Sequence, residues 1–269
     1  NLGHQTTCLS REVGDIGTEV VDYSSESSLE TVLDSYRPDC IINLAALTDV
    51  DLCEKDPQLA YSSNVKIVEF LSRWMKSNIG SHLIQISTDH IYDGPGPHVE
   101  GNVNLVNYYA FSKFSGELAA SSVPSTILRT NFFGKSQSPT RKSFSDWAFD
   151  SLVRQERINV FSDVLFSPLS INSLVEYIKL VIQKPIVGTF NLGSKDGFSK
   201  AEFVFTLAES LGLSTKNISR TSLDKVGLTA LRPRDMRMDC SKFEKLFDVK
   251  LPTLAEEITI STGDYCEKT

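Results

Sequence analysis

The sequence is notable first for what it lacks. None of its five cysteines (Cys8, Cys40, Cys53, Cys240 and Cys266) forms a C-x-x-C pair, and the count is odd. That pattern argues against a disulfide framework and for reduced thiols, so a cytoplasmic setting is expected. The four histidines are scattered without metal-ligand spacing, so no metal is expected. No apolar run approaches the roughly 20 residues that cross a bilayer. No basic region followed by an apolar one opens the chain, so neither a membrane partner nor a signal peptide is expected. Positive charge is also short. The net charge of −7 leaves no basic face of the kind a general nucleic-acid binder carries. Finally, no G-x-G-x-x-G or G-x-x-G-x-x-G lies near the start, where a nucleotide-binding sheet usually has its phosphate turn.

What is present is an ordinary globular balance, 41% apolar and 23% charged over 269 residues, enough for one large domain or two lobes. Strand-like runs occur at 5–10, 18–23, 40–47, 82–87 and 125–130. They alternate with helical periods at 27–36 and 57–78, where Tyr61, Val65, Val68, Leu71 and Met75 keep an i, i+3/i+4 rhythm. The runs at 40–47 and 82–87 are mostly apolar, as for strands covered on both faces. This order predicts an α/β fold, a doubly wound parallel sheet of Rossmann-like type. Beyond about residue 135 the pattern loosens. Helices are expected near 143–155, 170–183 and 199–211, with a strand at 188–193. The expected division is a dinucleotide-binding domain over 1–135 and a smaller C-terminal α/β substrate lobe over 136–269. Segments around 165–195 return to the sheet domain.

The stretch "NYYAFSKFSGE" (107–117) holds the most chemistry. Tyr109 has a lysine four positions on, Lys113, whereas Tyr108 has Ser112. On a helix only the first pair shares a face. A phenol ionises near pH 10, a poor match for proton transfer at neutrality. An ammonium about 4 Å away favours phenolate by roughly 4 kcal/mol at an effective dielectric of about 20. That predicts a Tyr109 acidified toward neutrality. The bland alternative is a solvated helix surface. Position tells against it, because the motif follows "ISTDHIYDG" (86–94), a strand end in a sheet class that binds ligands at such ends. Ser87 and Thr88 place hydroxyls there, either for a substrate carbonyl or to cap a turn.

Taken together, "RPDCIINLAALTDVDLCEKDPQLAYSSN" (37–64), "ISTDHIYDG", "NYYAFSKFSGE", "LRTNFFG" (128–134), "FSPLSINSLVEYI" (166–178) and "LRPRDMRMDCSKFE" (231–244) resemble the extended short-chain dehydrogenases/reductases. More narrowly they are similar to the dTDP-4-dehydrorhamnose reductase (RmlD-like) family. The resemblance implies that the family's first strand, glycine turn and first helix precede this chain. It further implies NADPH, with NADH as the alternative, and a nucleotide-sugar substrate whose 4-keto group is reduced. Relatives of this kind often form homodimers. By position, Tyr109 would be the general acid, Lys113 its partner and ribose anchor, and Thr88 the hydroxyl on the keto oxygen. Asn64 matches an asparagine of the family's helix. Asp22 and Tyr23 would flank the adenine, and Ala45 and Ala46 would floor the cofactor cleft or simply pack the core. Arg11, at a strand end, favours the 2′-phosphate of NADPH, tempered by Glu12. The substrate pocket departs from the family. His90 stands where a sugar-contacting tyrosine is expected, and Asn131 and Phe132 replace a serine and a tryptophan. Arg232 and Arg234 would meet a diphosphate or form surface salt bridges. Two other readings stand beside the reductase. One is a non-catalytic regulatory protein similar to the methionine adenosyltransferase β subunit. The other is an epimerase or dehydratase, for which Asp89 is present but His90 is not the expected glutamate.

Overall fold

The computed structural model of the protein describes residues 3–11, 18–136 and 142–266, with the Cys266 side chain left aside. Glu12 and much of the polar stretch after Gly134 lie outside the described residues. The chain opens with β1 (Cys8–Ser10) and β2 (Thr18–Val20), a parallel pair followed by helix α1 (Glu26–Tyr36). β3 (Cys40–Asn43) leads to α2 (Val50–Lys55) and α3 (Pro57–Tyr61). Asp49 and Asp56 cap these two helices by accepting the Leu52 and Leu59 N–H groups, and Pro57 occupies the first helical position, where it forfeits no hydrogen bond. A π turn over Ser62–Lys66 then joins α3 to α4 (Ile67–Ser77), so the expected helix over 57–78 is one long element with a wider turn inside it.

β4 (His82–Thr88), α5 (Tyr108–Ala120) and β5 (Ser125–Thr130) complete the centre. Next come β6 (Phe132–Phe133), α6 (Phe144–Val153), β7 (Ile158–Phe161), β8 (Leu165–Phe166), β9 (Leu169–Ser170), α7 (Ile171–Gln183) and β10 (Gly188–Leu192). β10 returns to the main sheet, whose order is β10-β5-β4-β3, all parallel. β11 (Phe198–Ser199), α8 (Lys200–Ser210), β12 (Ile218–Thr221), α9 (Ser241–Phe247), α10 (Leu254–Ser261) and α11 (Gly263–Cys266) follow.

Period-2 alternation divides the sheet's side chains between two cores. Ile84, Ile86, Leu128, Phe190 and Leu192 pack with Leu174 and Val181 of α7 and Phe243 and Phe247 of α9. Leu83 and Ile127, on the opposite face, pack with Leu29 and Leu33 of α1 and with Val68, Leu71, Trp74 and Met75 of α4. A third core, built from α6, β7, β8, α8 and α10, holds the second lobe together around Phe166, Phe203 and Leu207. The doubly wound sheet is therefore as expected. β3 is less covered than its composition suggests, since Ile42 is 38% exposed. Among the described residues β1 and β2 form their own ladder, which leaves β3 at the edge of the four-stranded sheet. No helix among the described residues is long and apolar enough to cross a membrane.

Candidate active site

β4 ends at Thr88, and the chain turns at once into a 3-10 turn over Asp89–Ile91. Thr88 Oγ1 caps that turn by accepting the His90 N–H at 3.2 Å. α5 starts from Asn107, whose side chain accepts the Ala110 N–H at 2.8 Å and donates to the Leu231 carbonyl at 2.8 Å. Both ends of this anchor fix the first turn of α5, where the two tyrosines lie. Adjacent helical residues point about 100° apart. Tyr109 is accordingly buried, at 7% exposure, while Tyr108 stands 47% exposed. The Thr88 side chain is close enough to the Tyr109 phenol to lower its pKa, and the Tyr109 ring meets the His90 ring edge-on with centroids 5.4 Å apart.

Lys113 lies one turn further, buried, with Nζ donating to the Ile86 carbonyl at 2.8 Å. Here the structure corrects an expectation. Tyr109 is not acidified: burial pushes its pKa above the ordinary phenol value, Asp89 and Cys53 push the same way, and only the Thr88 hydrogen bond opposes them. Lys113 is itself desolvated, which brings its ammonium down to about 8 despite the attraction of Glu117. Burial disfavours both charged forms, and Lys113 is not among the groups whose charge acts on the Tyr109 phenol, so the acidification expected from helix spacing does not arise.

Ser87, the other hydroxyl at the strand end, faces away from Thr88 and donates to Glu117. Glu117 in turn pairs with Arg129 at 2.7 Å, both side chains being almost wholly buried. Arg129 also donates to the Tyr92 hydroxyl at 2.8 Å, and Tyr92 donates to Asn191 at 2.6 Å. These groups join α5 to β5 and β10 beneath the site.

Above them sits a polar cluster. Asn131 donates to Asp89 at 2.7 Å, and burial raises the Asp89 carboxyl while this bond and the Lys200 charge oppose the rise. His90 is held neutral, down to about 3, by burial and then by the charges of Lys200 and Arg232. Its Nδ1 is buried without a hydrogen-bond partner. Arg232 grips Asp51 at 2.9 and 3.2 Å, and Arg234 pairs with Asp163 at 2.8 Å and with Asp224, so both arginines are engaged in ion pairs. Phe132, expected to wall the pocket, is 51% exposed at the start of β6. Lys200, whose charge acts on both Asp89 and His90, is the first residue of α8, a position where the helix dipole disfavours a cation.

On the other side, Asn64 in the π turn donates to Ser112 at 2.8 Å and clamps Leu47 through both of its backbone groups. Gly116 lets this turn approach α5: a Cβ there would sit 2.5 Å from the Asn64 carbonyl oxygen. Ala45 and Ala46 are half-buried just past β3. Asp22, at the end of β2, accepts two hydrogen bonds from Ser24, which lower its pKa. Tyr23 is half-buried, and the exposed Arg11 is near enough for its charge to act on it. Arg11, Asp22 and Tyr23 thus gather at the ends of β1 and β2, Ala45 and Ala46 follow the end of β3, and Thr88, Tyr109 and Lys113 flank the end of β4. A surface guanidinium, small residues and buried hydroxyls in that order fit an extended dinucleotide. Among the described residues no group of three or more His, Cys, Asp or Glu is placed to hold a metal ion.

A family model described as the RmlD substrate binding domain matches residues 1–265. The probable low-salt glycan biosynthesis reductase Agl14 of Haloferax volcanii is 26% identical over 245 residues, covering 88% of this chain and 81% of that protein. The dTDP-4-dehydrorhamnose reductase of Sinorhizobium fredii is 27% identical over 260 residues, 91% of this chain and 86% of the relative. Among solved structures, a dTDP-4-dehydrorhamnose reductase from Bacillus anthracis in complex with NADP superposes with a TM-score of 0.84 at 24% identity. It covers 92% of this chain and 89% of its own, a likeness of fold.

Proposed function

This chain belongs to the RmlD substrate binding domain family, and from that premise we propose that it reduces the 4-keto group of a nucleotide-linked deoxysugar with NADPH. It is an NAD(P)H-dependent reductase acting on a nucleotide sugar, and its relatives are named as a dTDP-4-dehydrorhamnose reductase and a probable glycan biosynthesis reductase. The observation that carries the finer reading is the juxtaposition of the Thr88 and Tyr109 side chains at the carboxyl end of β4, with Lys113 one helical turn away.

The bound nicotinamide supplies the hydride to the carbonyl carbon. The chain supplies position and the proton. Thr88 and Tyr109 hold the keto oxygen between two hydroxyls, and Tyr109 gives its proton to that oxygen as negative charge develops on it. A phenol kept above its ordinary pKa by burial is fully protonated at neutral pH, which is the state a proton donor needs. Once the proton has left, the phenolate faces the Lys113 ammonium from the same helix face. Arg11 favours the 2′-phosphate of NADPH over NADH, and Asp22 and Tyr23 border the adenine end. Ala45, Ala46 and Asn64 shape the middle of the cofactor cleft. His90, Asn131, Phe132 and Arg232 line the sugar-nucleotide side. The pocket's departures from the family leave the sugar and its carrier to experiment.

The test offers the protein NADPH and a panel of dTDP-, CDP- and GDP-linked 4-keto-6-deoxy sugars, with loss of NADPH absorbance as the readout. Tyr109→Phe is expected to stop turnover and keep NADPH binding, and Tyr108→Phe to keep most activity. Equal loss in both variants removes the assignment of Tyr109. No oxidation with any sugar, combined with tight binding to another protein, favours a regulatory role.

A further inference from the structure

The first turn of α5 carries Tyr109, yet the chain leading to it does not fix its place. Residues 92–107 run from the 3-10 turn after β4 to the start of α5, with no helix or strand of their own. Loops of that length are commonly the more mobile part of a fold, so the helix start has to be held by other elements. Three side chains hold it. Asn107 caps α5 by accepting the Ala110 N–H, and its amide donates to the Leu231 carbonyl. Glu54 of α2 accepts the Tyr108 N–H at 3.1 Å, one of the donors that a helix start leaves without a partner inside the helix. Asp51 lies three residues before Glu54, on the same face of α2. It grips the strap that Asn107 reaches, accepting the Ala230 N–H at 2.9 Å and the Arg232 guanidinium at 2.9 and 3.2 Å. α2 therefore bonds both to the start of α5 and to residues 230–232, and Asn107 closes the triangle between these two.

The strap is tied to the second lobe. Just beyond it the Arg234 carbonyl accepts the Leu165 N–H at 2.6 Å, and the Met236 N–H donates to the Leu165 carbonyl at 2.9 Å, which joins this segment to β8. Tyr109 lies two residues after Asn107, packs with Cys53 of α2 in one small buried cluster, and meets the His90 ring edge-on. A shift of the triangle is therefore a shift of the phenol relative to the end of β4. A misplacement of about 1 Å between reacting groups can cost about a hundredfold in rate.

We propose that Asp51, Glu54 and Asn107 are positioning residues that brace the 230–232 strap against the start of α5 and so set Tyr109 in place beside Thr88. The assignment rests on the reductase reading above and adds three residues that act through the phenol rather than on the sugar. It also makes proton delivery depend on the second lobe, since the strap fastened to β8 is bonded to the residue that caps the helix of the proton donor.

The experiment uses Asn107→Ser, Asp51→Ala and the two combined, with Asp51→Asn as the conservative variant. Serine caps a helix about as well as asparagine but is too short to reach the Leu231 carbonyl, so it removes the strap bond and keeps the cap. Expected for Asn107→Ser is a fall of about tenfold in kcat, with KM changed by less than about twofold and the urea midpoint nearly unmoved. Asp51→Ala leaves α5 itself untouched and should lower kcat by a similar factor, while Asp51→Asn keeps an acceptor for both donors and should retain most of the rate. The double variant should be no slower than the slower single one, because both changes cut the same connection. Losses that multiply, or an unchanged kcat in either single variant, overturn the proposal. Amide hydrogen exchange supplies a readout independent of turnover. Asp51→Ala should speed exchange over residues 108–113, and unchanged exchange there also overturns the proposal. Wild type that reduces no sugar refutes the reductase reading and leaves hydrogen exchange to decide whether the brace exists. Should Asp51→Ala fail to fold, Asp51→Ser, too short to hold the guanidinium, replaces it with the same outcomes expected.

Discussion

Replacing Lys113 by methionine should stabilise the protein while disabling it. The lysine is buried, and its pKa falls from the ordinary 10.5 to about 8. At about 1.4 kcal/mol per pH unit, keeping it charged at pH 7 costs the folded state about 3 kcal/mol. The sign follows from proton counting. Between pH 8 and 10.5 the unfolded chain holds the proton and the folded chain does not, so this group makes stability rise with pH across that window, and below it, where both states are protonated, the full penalty stays constant. Methionine removes the penalty and also the 2.8 Å bond to the Ile86 carbonyl. That loss is modest, about 1 kcal/mol, because the Gln85 amide still donates to the same carbonyl at 3.1 Å. The net expectation is a variant more stable than wild type by about 2 kcal/mol at pH 7. The advantage should shrink by about the same amount at pH 10, where the wild-type lysine is already neutral. Urea unfolding of both proteins at the two pH values measures this directly. No gain at pH 7, or an identical gain at both pH values, would show that Lys113 is not held in a charge-disfavouring site. Turnover should nevertheless fall steeply, since the phenolate left by proton transfer loses its counter-charge.

The remaining expectations concern the groups around that helix. Gly116→Ala pushes a Cβ to 2.5 Å from the Asn64 carbonyl, so chemical denaturation should show a loss of about 1–3 kcal/mol, with activity reduced as α5 is displaced. Glu117→Gln strands the Arg129 guanidinium in the interior and should cost about 3–5 kcal/mol in the same assay, whereas Glu117→Leu combined with Arg129→Met should cost far less. Asn131→Ala removes the hydrogen bond that lowers the Asp89 pKa, so Asp89 should ionise at higher pH. The acid limb of the kcat/KM profile is then expected to move up in pH, and an unmoved limb would separate Asp89 from turnover.

Much of this site could be read from residue spacing. The distinction between Tyr108 and Tyr109 followed from one helical turn, and the exposures of the two rings agree with it. The strands at 82–88 and 125–130 were evident from their apolar runs, as was the switch to helical rhythm between them. What spacing could not supply was the burial of Tyr109, because that depends on how completely α5 is covered by elements distant in sequence. Arg232 was ambiguous for the same reason: its partner, Asp51, lies at the other end of the chain. The π turn at Asn64 was hidden inside an unbroken apolar period, since widening one turn shifts the register of a helix without altering its composition.

The protonated phenol of Tyr109 also has a directional consequence. Running the chemistry backward, from alcohol to ketone, requires the same oxygen to take up a proton, and so to begin as phenolate. Burial, Asp89 and the Cys53 thiol all resist that starting state. Alcohol oxidation should therefore speed up steadily as the medium becomes alkaline, whereas ketone reduction should hold level across the whole range in which the phenol keeps its proton.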